Sequence, residues 1–366
     1  MTHGSKRTRH TVGFERAIGM DLSDKKANVA ELEADPAIEE VVATAVISLT
    51  ETALRKHFGG RARCRVALEV GTHSPWVSRL LSDLGHQVIV ANAREIEGDH
   101  RRRRKSDRID AEKLARLVRV DPKLLHPIQH RSERTQAHLT LIRARDVVVR
   151  TRATMISAVR GMVKPFGGRL PACSADAFPR KAALAVPECI RAAVYPLLGE
   201  ITRATRQVRY YDRAIARLAR EQYPETERLT QVTGVGTLTA LAYRLTIEDA
   251  ARFRRSRAVG PYLGLTPSER SSGESEPELG ISKAGDPLLR RLLVQCAHYI
   301  LGPFGPDCDL RRWGLGHAGA GSKSRKKKAI AAVARKLAVL LHYLWTSGQV
   351  YEPLHNASRS ERIHAA

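Results

Sequence analysis

Short apolar runs bounded by polar turns dominate the first part of the chain. Residues 16–22 (RAIGMDL) form one such run, Ser23-Asp24-Lys25 a polar turn, and 27–32 a second run with partial alternation; together they predict a β-hairpin. Residues 41–49 read either as a third strand or as the start of a helix ending at Phe58. Their β-branched residues argue one way and the length of the run the other, and Gly59-Gly60 closes either. Residues 65–70 (RVALEV) are a continuous apolar run of the doubly buried kind. A helix over 75–84, Gly85 as its C-cap and a strand over 87–91 follow, which is a strand, helix, strand unit. A further helix starts at Ser106, a suitable N-cap, and carries Ile109, Leu114, Leu117 and Val118 at helical spacing.

Beyond about residue 130 the period changes. Paired apolar residues recur every seven positions at Leu141-Ile142, Val148-Val149, Met155-Ile156 and Met162-Val163. Residues 164–187 interrupt the series with Gly and Pro. A second series then has Val194, Ile201, Val208 and Ile215, with Leu197, Ala204, Tyr211 and Leu218 three residues on. Heptads of this kind predict long helices in a coiled coil, as an antiparallel hairpin within one chain or a seam between two. Residues 229–240 (LTQVTGVGTLTA) predict helix, glycine turn, helix. The turn resembles a helix-hairpin-helix element whose Gly234 and Gly236 would admit a phosphate to free helix amides, with simple packing as the competing reading. Residues 302–321, rich in Gly, predict an exposed connection. An amphipathic helix with a basic head follows, its stripe being Ile330, Val333, Leu337, Leu340, Leu341 and Leu344; the polar tail beyond Tyr351 is expected to be mobile.

Charge adds a partner. Among 366 residues, 62 Lys and Arg stand against 38 Asp and Glu, a formal net charge of +24, so nucleic acid is the expected polyanion. An anionic membrane surface would also suit the charge, but no run of about 18 apolar residues is read to span one. Residues 1–10 are basic and polar, without the apolar core of a secretory signal, so an intracellular, nucleoid-associated protein is expected. Five cysteines with no CxxC pair disfavour both a disulfide framework and a cysteine-rich zinc site. Arg143, Arg145, Arg150, Arg152, Arg203, Arg206 and Arg209 decorate the heptad helices, where nucleic acid or plain solvent would suit them equally.

Against this basic background four carboxylates stand out. Asp21 and Glu69 end apolar strands, and Asp107 and Asp110 open a helix just after Arg101, Arg102, Arg103, Arg104 and Lys105. Phosphodiester chemistry needs an activated nucleophile, a stabilised leaving oxygen and neutralised charge at phosphorus, which two divalent ions held by hard oxygen ligands supply. Asp107 and Asp110 also suit a helix dipole, and a strand-end carboxylate facing water is the plain alternative for Asp21 and Glu69. Neighbouring arginines would hold substrate phosphates or form a solvated face.

The segments Ile18-Gly19-Met20-Asp21-Leu22-Ser23, Ala67-Leu68-Glu69-Val70-Gly71-Thr72-His73 and Lys105-Ser106-Asp107-Arg108-Ile109-Asp110-Ala111 resemble, in order and spacing, the DEDD recombinases of the insertion-sequence one-ten family, which include the Piv-type invertases. The resemblance implies a RuvC-like domain of RNase H fold whose carboxylates Asp21, Glu69, Asp107 and Asp110 bind Mg²⁺ or Mn²⁺. A later stretch is similar to the family's transposase domain: residues 259–267 (VGPYLGLTP), Ser268-Glu269-Arg270-Ser271-Ser272-Gly273 and Gly280-Ile281-Ser282-Lys283-Ala284-Gly285-Asp286. The family's nucleophilic serine carries over to Ser272, with Ser271 as close competitor, and Lys283 becomes a phosphate contact. On composition alone these would be solvent-facing loop serines. No His adjoins Ser272, so a hydrolase triad is not expected; its activation would have to come from the acidic cluster.

The resulting expectation is α/β plus α. A RuvC-like domain spans 1–125, a helical coiled-coil segment 126–222 and a mostly helical transposase domain 223–350, before a polar tail over 351–366. The expected function is a DNA transposase or site-specific recombinase of a mobile element. The resemblance adds a noncoding guide RNA, and the heptad segments offer a means of assembly into a dimer or tetramer. Gly234, Gly236, Lys283, Lys326 and Lys327 join residues 101–105 as expected nucleic-acid contacts. Two alternatives remain open: a metal-dependent junction nuclease using only the acidic cluster, and a non-enzymatic scaffold that binds nucleic acid.

Overall fold

The strand-forming runs assemble into one five-stranded sheet in the computed structural model, which describes residues 13–35, 37–92, 107–268, 279–319 and 321–356. β1 (Arg16–Leu22), β2 (Lys26–Glu33) and β3 (Val41–Ser48) pair antiparallel. β4 (Cys64–Glu69) and β5 (Gln87–Ala91) extend the sheet from β1 in parallel, giving the order β3-β2-β1-β4-β5. Helices α1 (Glu51–Phe58), α2 (Ser74–Asp83) and α3 (Asp107–Val120) pack on it. Because side chains alternate along a strand, β1 and β4 serve two cores. Ile18, Met20, Val66 and Leu68 pack with α1 and α2, while Ala17 and Ala67 pack with Leu114, Ala115 and Val118 of α3.

The ambiguous run over 41–49 is a strand followed by a separate helix. Thr50 makes the break, accepting a hydrogen bond from Ala53 N at 3.3 Å. β3 lies at the sheet edge and is largely exposed, so burial imposes no apolar alternation on it. Among the described residues of this unit, one carboxylate, Glu31, is buried. Glu31 on β2 receives both Arg61 nitrogens at 2.9 and 2.7 Å, and His57 Nε2 stands 3.3 Å away. Burial pushes its carboxyl up, but the hydrogen bonds and charges of His57 and Arg61 outweigh this and hold it down at about 2.

The chain divides into two compact units, Met1–Arg131 and Ser132–Ala366. The second unit is mostly helical: α4 (Glu133–Val163), α5 (Phe178–Ala183), α6 (Arg191–Gln222), α7 (Thr226–Thr230), α8 (Thr237–Ile247), α9 (Val259–Tyr262), α10 (Pro287–Leu301), α11 (Asp309–Ala318) and α12 (Lys323–Ser347). α4 and α6 run antiparallel, with Arg134 reaching Gln222, Arg145 reaching Asp212 and Arg152 reaching Thr205. The two heptad series are thus arms of one hairpin, and Val194, Ile201, Val208 and Ile215 are all buried. Leu139 and Ile142 of α4 enter the core formed with α8, α10 and α12.

Three expectations change here. Residues 302–321 contain a packed helix, α11, instead of an exposed connection. A Cβ at Gly314 would stand 2.5 Å from Val333 Cγ2 and 2.7 Å from a Leu301 methyl, so this glycine serves close helix packing. The tail is held as far as residue 356: Tyr351 N donates to Gln231 at 3.1 Å, Asp309 N to Pro353 O at 2.7 Å, and Asn356 N to Asp309 at 2.9 Å. And α12 is, by length and mean hydropathy, apolar enough to cross a membrane, although no such stretch was expected. Val333, Leu337, Leu341 and Leu344 nevertheless lie in the protein core, and the Tyr243 hydroxyl donates to Ala338 O at 2.7 Å.

Candidate active site and nucleic-acid surfaces

The register of β1 on β4 pairs Arg16 with Cys64 and ends at Met20 with Leu68; Asp21 and Glu69 are the next residue on each strand. Both therefore fall at one end of the sheet, on the face that Ala17, Gly19 and Ala67 turn to α3. Gly19 sets how close α3 comes: a Cβ there would stand 1.9 Å from Ala111 O and 2.5 Å from Ala115 N. Farther along, Arg65 at the start of β4 donates to Val118 O at 3.4 Å. α3 thus runs against the strand direction, and its first turn, with Asp107 and Asp110, lies toward the end where β1 and β4 finish. Asp21, Glu69 and Asp110 are half-buried and Asp107 is exposed.

Four carboxylates are a donor set that suits a hard divalent cation. Among the described residues, however, no group of three or more His, Cys, Asp or Glu side chains is close enough to hold one ion jointly. The shared face and end, not a finished ligand shell, are what the fold supplies.

Polar residues that escaped the sequence reading fix the turns beyond both strands. Gly71 N donates to Ser74 Oγ at 3.0 Å, and that hydroxyl returns a bond to Gly71 O at 2.9 Å. With its proton so used, Ser74 Oγ accepts from His130 Nε2 at 2.9 Å. Burial lowers the His130 pKa, assisted by Arg79 and Arg131, which favours the neutral ring. In the same turn after β4, Trp76 Nε1 donates to His73 Nδ1 at 3.2 Å, leaving His73 Nε2–H for Asp24 of the β1–β2 turn at 3.3 Å. This bond ties the β1–β2 turn to the start of α2. An in-strand glycine such as Gly19 was the one available signal, since glycine inside a strand marks a close approach.

Ser271 and Ser272 lie outside the described residues, as do Arg101, Arg102, Arg103, Arg104, Lys105 and the expected N-cap Ser106. The described flanks of the serine segment form a short antiparallel ladder. Ser268 N donates to Gly280 O at 2.9 Å, Ser282 N to Thr266 O at 2.8 Å and Lys283 N to Gly264 O at 3.2 Å. Gly264 has φ +64, and a Cβ there would meet Ala284 N at 2.2 Å. Arg290 on α10 clasps both arms, donating to Leu263 O at 3.0 Å and Ala284 O at 2.6 Å. Lys283 is exposed and takes φ 56, an uncommon conformation for a side-chain-bearing residue.

Beside this ladder runs a groove of about 1860 Å³, reached by Ser268, Gly280 and Ile281 and lined by Lys327, Lys328, Arg335, Lys336, Trp313 and Tyr343 among others. Trp313 stacks on His317 with centroids 5.2 Å apart, and Lys336 Nζ sits 3.9 Å above the indole. Lys326 and Lys327 lie in the first turns of α12, where the helix dipole disfavours cations, so stability does not explain them. Gly234 and Gly236 form the turn between α7 and α8. Gly234 has φ +85, a Cβ there would meet Tyr299 at 3.0 Å, and Gly236 is the N-cap of α8.

Residues 18–166 match the model of a transposase family of DEDD, IS110 type, and residues 226–306 match that of the transposase IS116/IS110/IS902 family. The chain is 30% identical over 295 residues to the transposase for insertion sequence element IS1328 of Yersinia enterocolitica, covering 79% of this chain and 85% of that protein. A probable family 20 transposase of Pseudomonas aeruginosa is 29% identical over 353 residues, 92% of this chain and 98% of the relative. The transposase for insertion sequence element IS1111A of Coxiella burnetii is 25% identical over 253 residues, 68% of each.

Proposed function

The chain belongs to the IS116/IS110/IS902 family of transposases, and from that premise we propose that it cuts and rejoins DNA of a mobile element using both a carboxylate cluster and a serine. Asp21, Glu69, Asp107 and Asp110 would hold Mg²⁺ or Mn²⁺, which when bound would supply positive charge beside a reacting phosphate. The observation that carries this reading is the common end and face shared by the strand-end pair and the first turn of α3. The strand order β3-β2-β1-β4-β5, antiparallel then parallel, supports assigning the sheet to a RuvC-like, RNase H class of fold.

Ser272, with Ser271 as competitor, attacks phosphorus. Its Oγ–H loses the proton, an Oγ–P bond forms, and a deoxyribose oxygen leaves and takes up a proton. Attack by a hydroxyl of a second strand then reverses the exchange, so the phosphodiester count is kept without an external energy source. Arg101, Arg102, Arg103, Arg104, Lys105, Lys283, Lys326, Lys327 and the Gly234–Gly236 turn contact nucleic-acid phosphates. A noncoding RNA of the element guides strand choice, and copies of the chain assemble as a dimer or tetramer.

The test is strand transfer between the element's ends and target DNA, with Mg²⁺ and RNA transcribed from the flanks. Asp21→Asn is expected to reduce it on the order of 10³-fold, several kcal/mol of lost charge stabilisation, while duplex binding persists. Ser272→Ala is expected to abolish it. Undiminished cutting by Ser272→Ala would return the reading to a nuclease that uses the carboxylates alone.

A further inference from the structure

The structure separates two sets among the arginines of the hairpin. Those on the α4 side and at the hairpin's flank are neutralised within the protein: Arg143 by Asp286, Arg145 by Asp212, Arg150 by Asp146, and Arg152 and Arg209 both by Asp176. A second set runs down the outside of α6. Arg203, Arg206, Tyr210, Arg213, Arg217 and Arg220 follow one another at steps of three or four residues, and all are exposed. At about 100° per residue they fall within one sector of roughly 100°, opposite the buried Ile201, Val208 and Ile215. Glu200 and Glu221 touch only the two end members, at 3.5 and 3.6 Å, in exposed pairs. Among the described residues, Arg206, Arg213 and Arg217 have no ion-pair partner.

We infer that this outer face of α6 is a docking surface for the backbone of duplex DNA, separate from the carboxylates and the serine segment. From Arg203 to Arg220 the helix rises about 26 Å, along which a duplex presents roughly fifteen phosphates at one charge per ~1.7 Å. Five guanidinium groups fixed in line on a rigid helix match a duplex edge. The stripe holds a single aromatic ring, Tyr210, so its contacts are to phosphate and carry no sequence preference. Packing does not account for the stripe, because like charges at helical spacing repel one another. DNA as the occupant rests on the transposase reading above, but the surface itself does not.

The experiment is anisotropy titration of the full chain with a random-sequence 20-base-pair DNA duplex across a salt series. The triple variant Arg206→Gln/Arg213→Gln/Arg217→Gln is expected to bind roughly tenfold more weakly near 0.1 M salt. Its slope of log affinity against log salt should be shallower by about 2.7, or 0.9 per lost phosphate contact. The corresponding Lys triple variant, which keeps the charges and tests for misfolding, is expected to retain most of the slope. Wild-type slope and affinity in the Gln variant would overturn the proposal. So would a loss confined to an RNA duplex of the same sequence. Binding does not require chemistry, so failure here leaves the Asp21→Asn strand-transfer result to judge the functional reading separately.

Discussion

In the N-terminal unit the candidate groups sit on two strand ends and a helix start, brought to one end by the contact between Gly19 and α3. In the C-terminal unit the candidate serines fall between the two arms of a ladder that Arg290 clasps. The first support is a β-sheet with a helix laid on it; the second is two short backbone arms fastened by one side chain. A carboxylate set is only useful where several residues agree in position, which regular elements enforce. A nucleophile must approach a phosphate, and a segment carried on a fixed base suits that.

If close packing at Gly19 is what aligns the carboxylates, enlarging it should do the most damage. Gly19→Val is expected to lower the stability of the N-terminal unit by about 3 kcal/mol, read as a fall in thermal midpoint, because the new atoms meet α3 backbone. An unchanged midpoint would show that α3 can retreat at no cost. Acid should act on the same unit through Glu31. The Glu31 carboxyl, lowered from 4.5 to about 2, stabilises the fold above its unfolded value and loses that contribution as pH falls through about 2. Glu31→Gln is therefore expected to cost on the order of 2 kcal/mol at neutral pH, and the gap to the wild type should narrow between about pH 4.5 and 2 in denaturant titrations. A gap that stays constant would mean that the Arg61 bonds to Glu31 do not depend on its charge. The smallest effect is expected in the other unit. Arg290→Gln should leave the fold's melting nearly intact but slow strand transfer about tenfold, since it loosens the serine segment's base by roughly 1.4 kcal/mol. Loss of folding instead would make Arg290 a core residue.

The same contrast explains what could be read from sequence. β1 and β4 were legible because central strands are continuous apolar runs, as in RAIGMDL and RVALEV, and the acidic residues interrupt them visibly. β3 was ambiguous because an exposed edge imposes no pattern. Residues 302–321 misled because Gly314 reads as a turn signal, while its actual role is to admit Val333 and Leu301. The polar bonds of Ser74, His130, His73 and Asp24 join residues far apart in sequence or fix single atoms, and no period announces them. Likewise the sequence counted arginines on the heptad helices but could not separate Arg145 or Arg152, each beside an aspartate in space, from Arg206 on the outer face. Gly264 and Arg290 were visible as residues, but the ladder they secure is a long-range backbone contact.

The central claim, that carboxylates and serine serve one reaction, is tested most directly by trapping the protein on its element's end DNA with Mg²⁺ and mapping the attached peptide by mass spectrometry. The account predicts a phosphodiester-linked nucleotide on Ser272 in the wild type, retained in Ser271→Ala and absent from both Ser272→Ala and Asp21→Asn. Attachment that persists in the Ser272→Ala and Ser271→Ala variants, or a Ser272 adduct formed undiminished by Asp21→Asn, would contradict it.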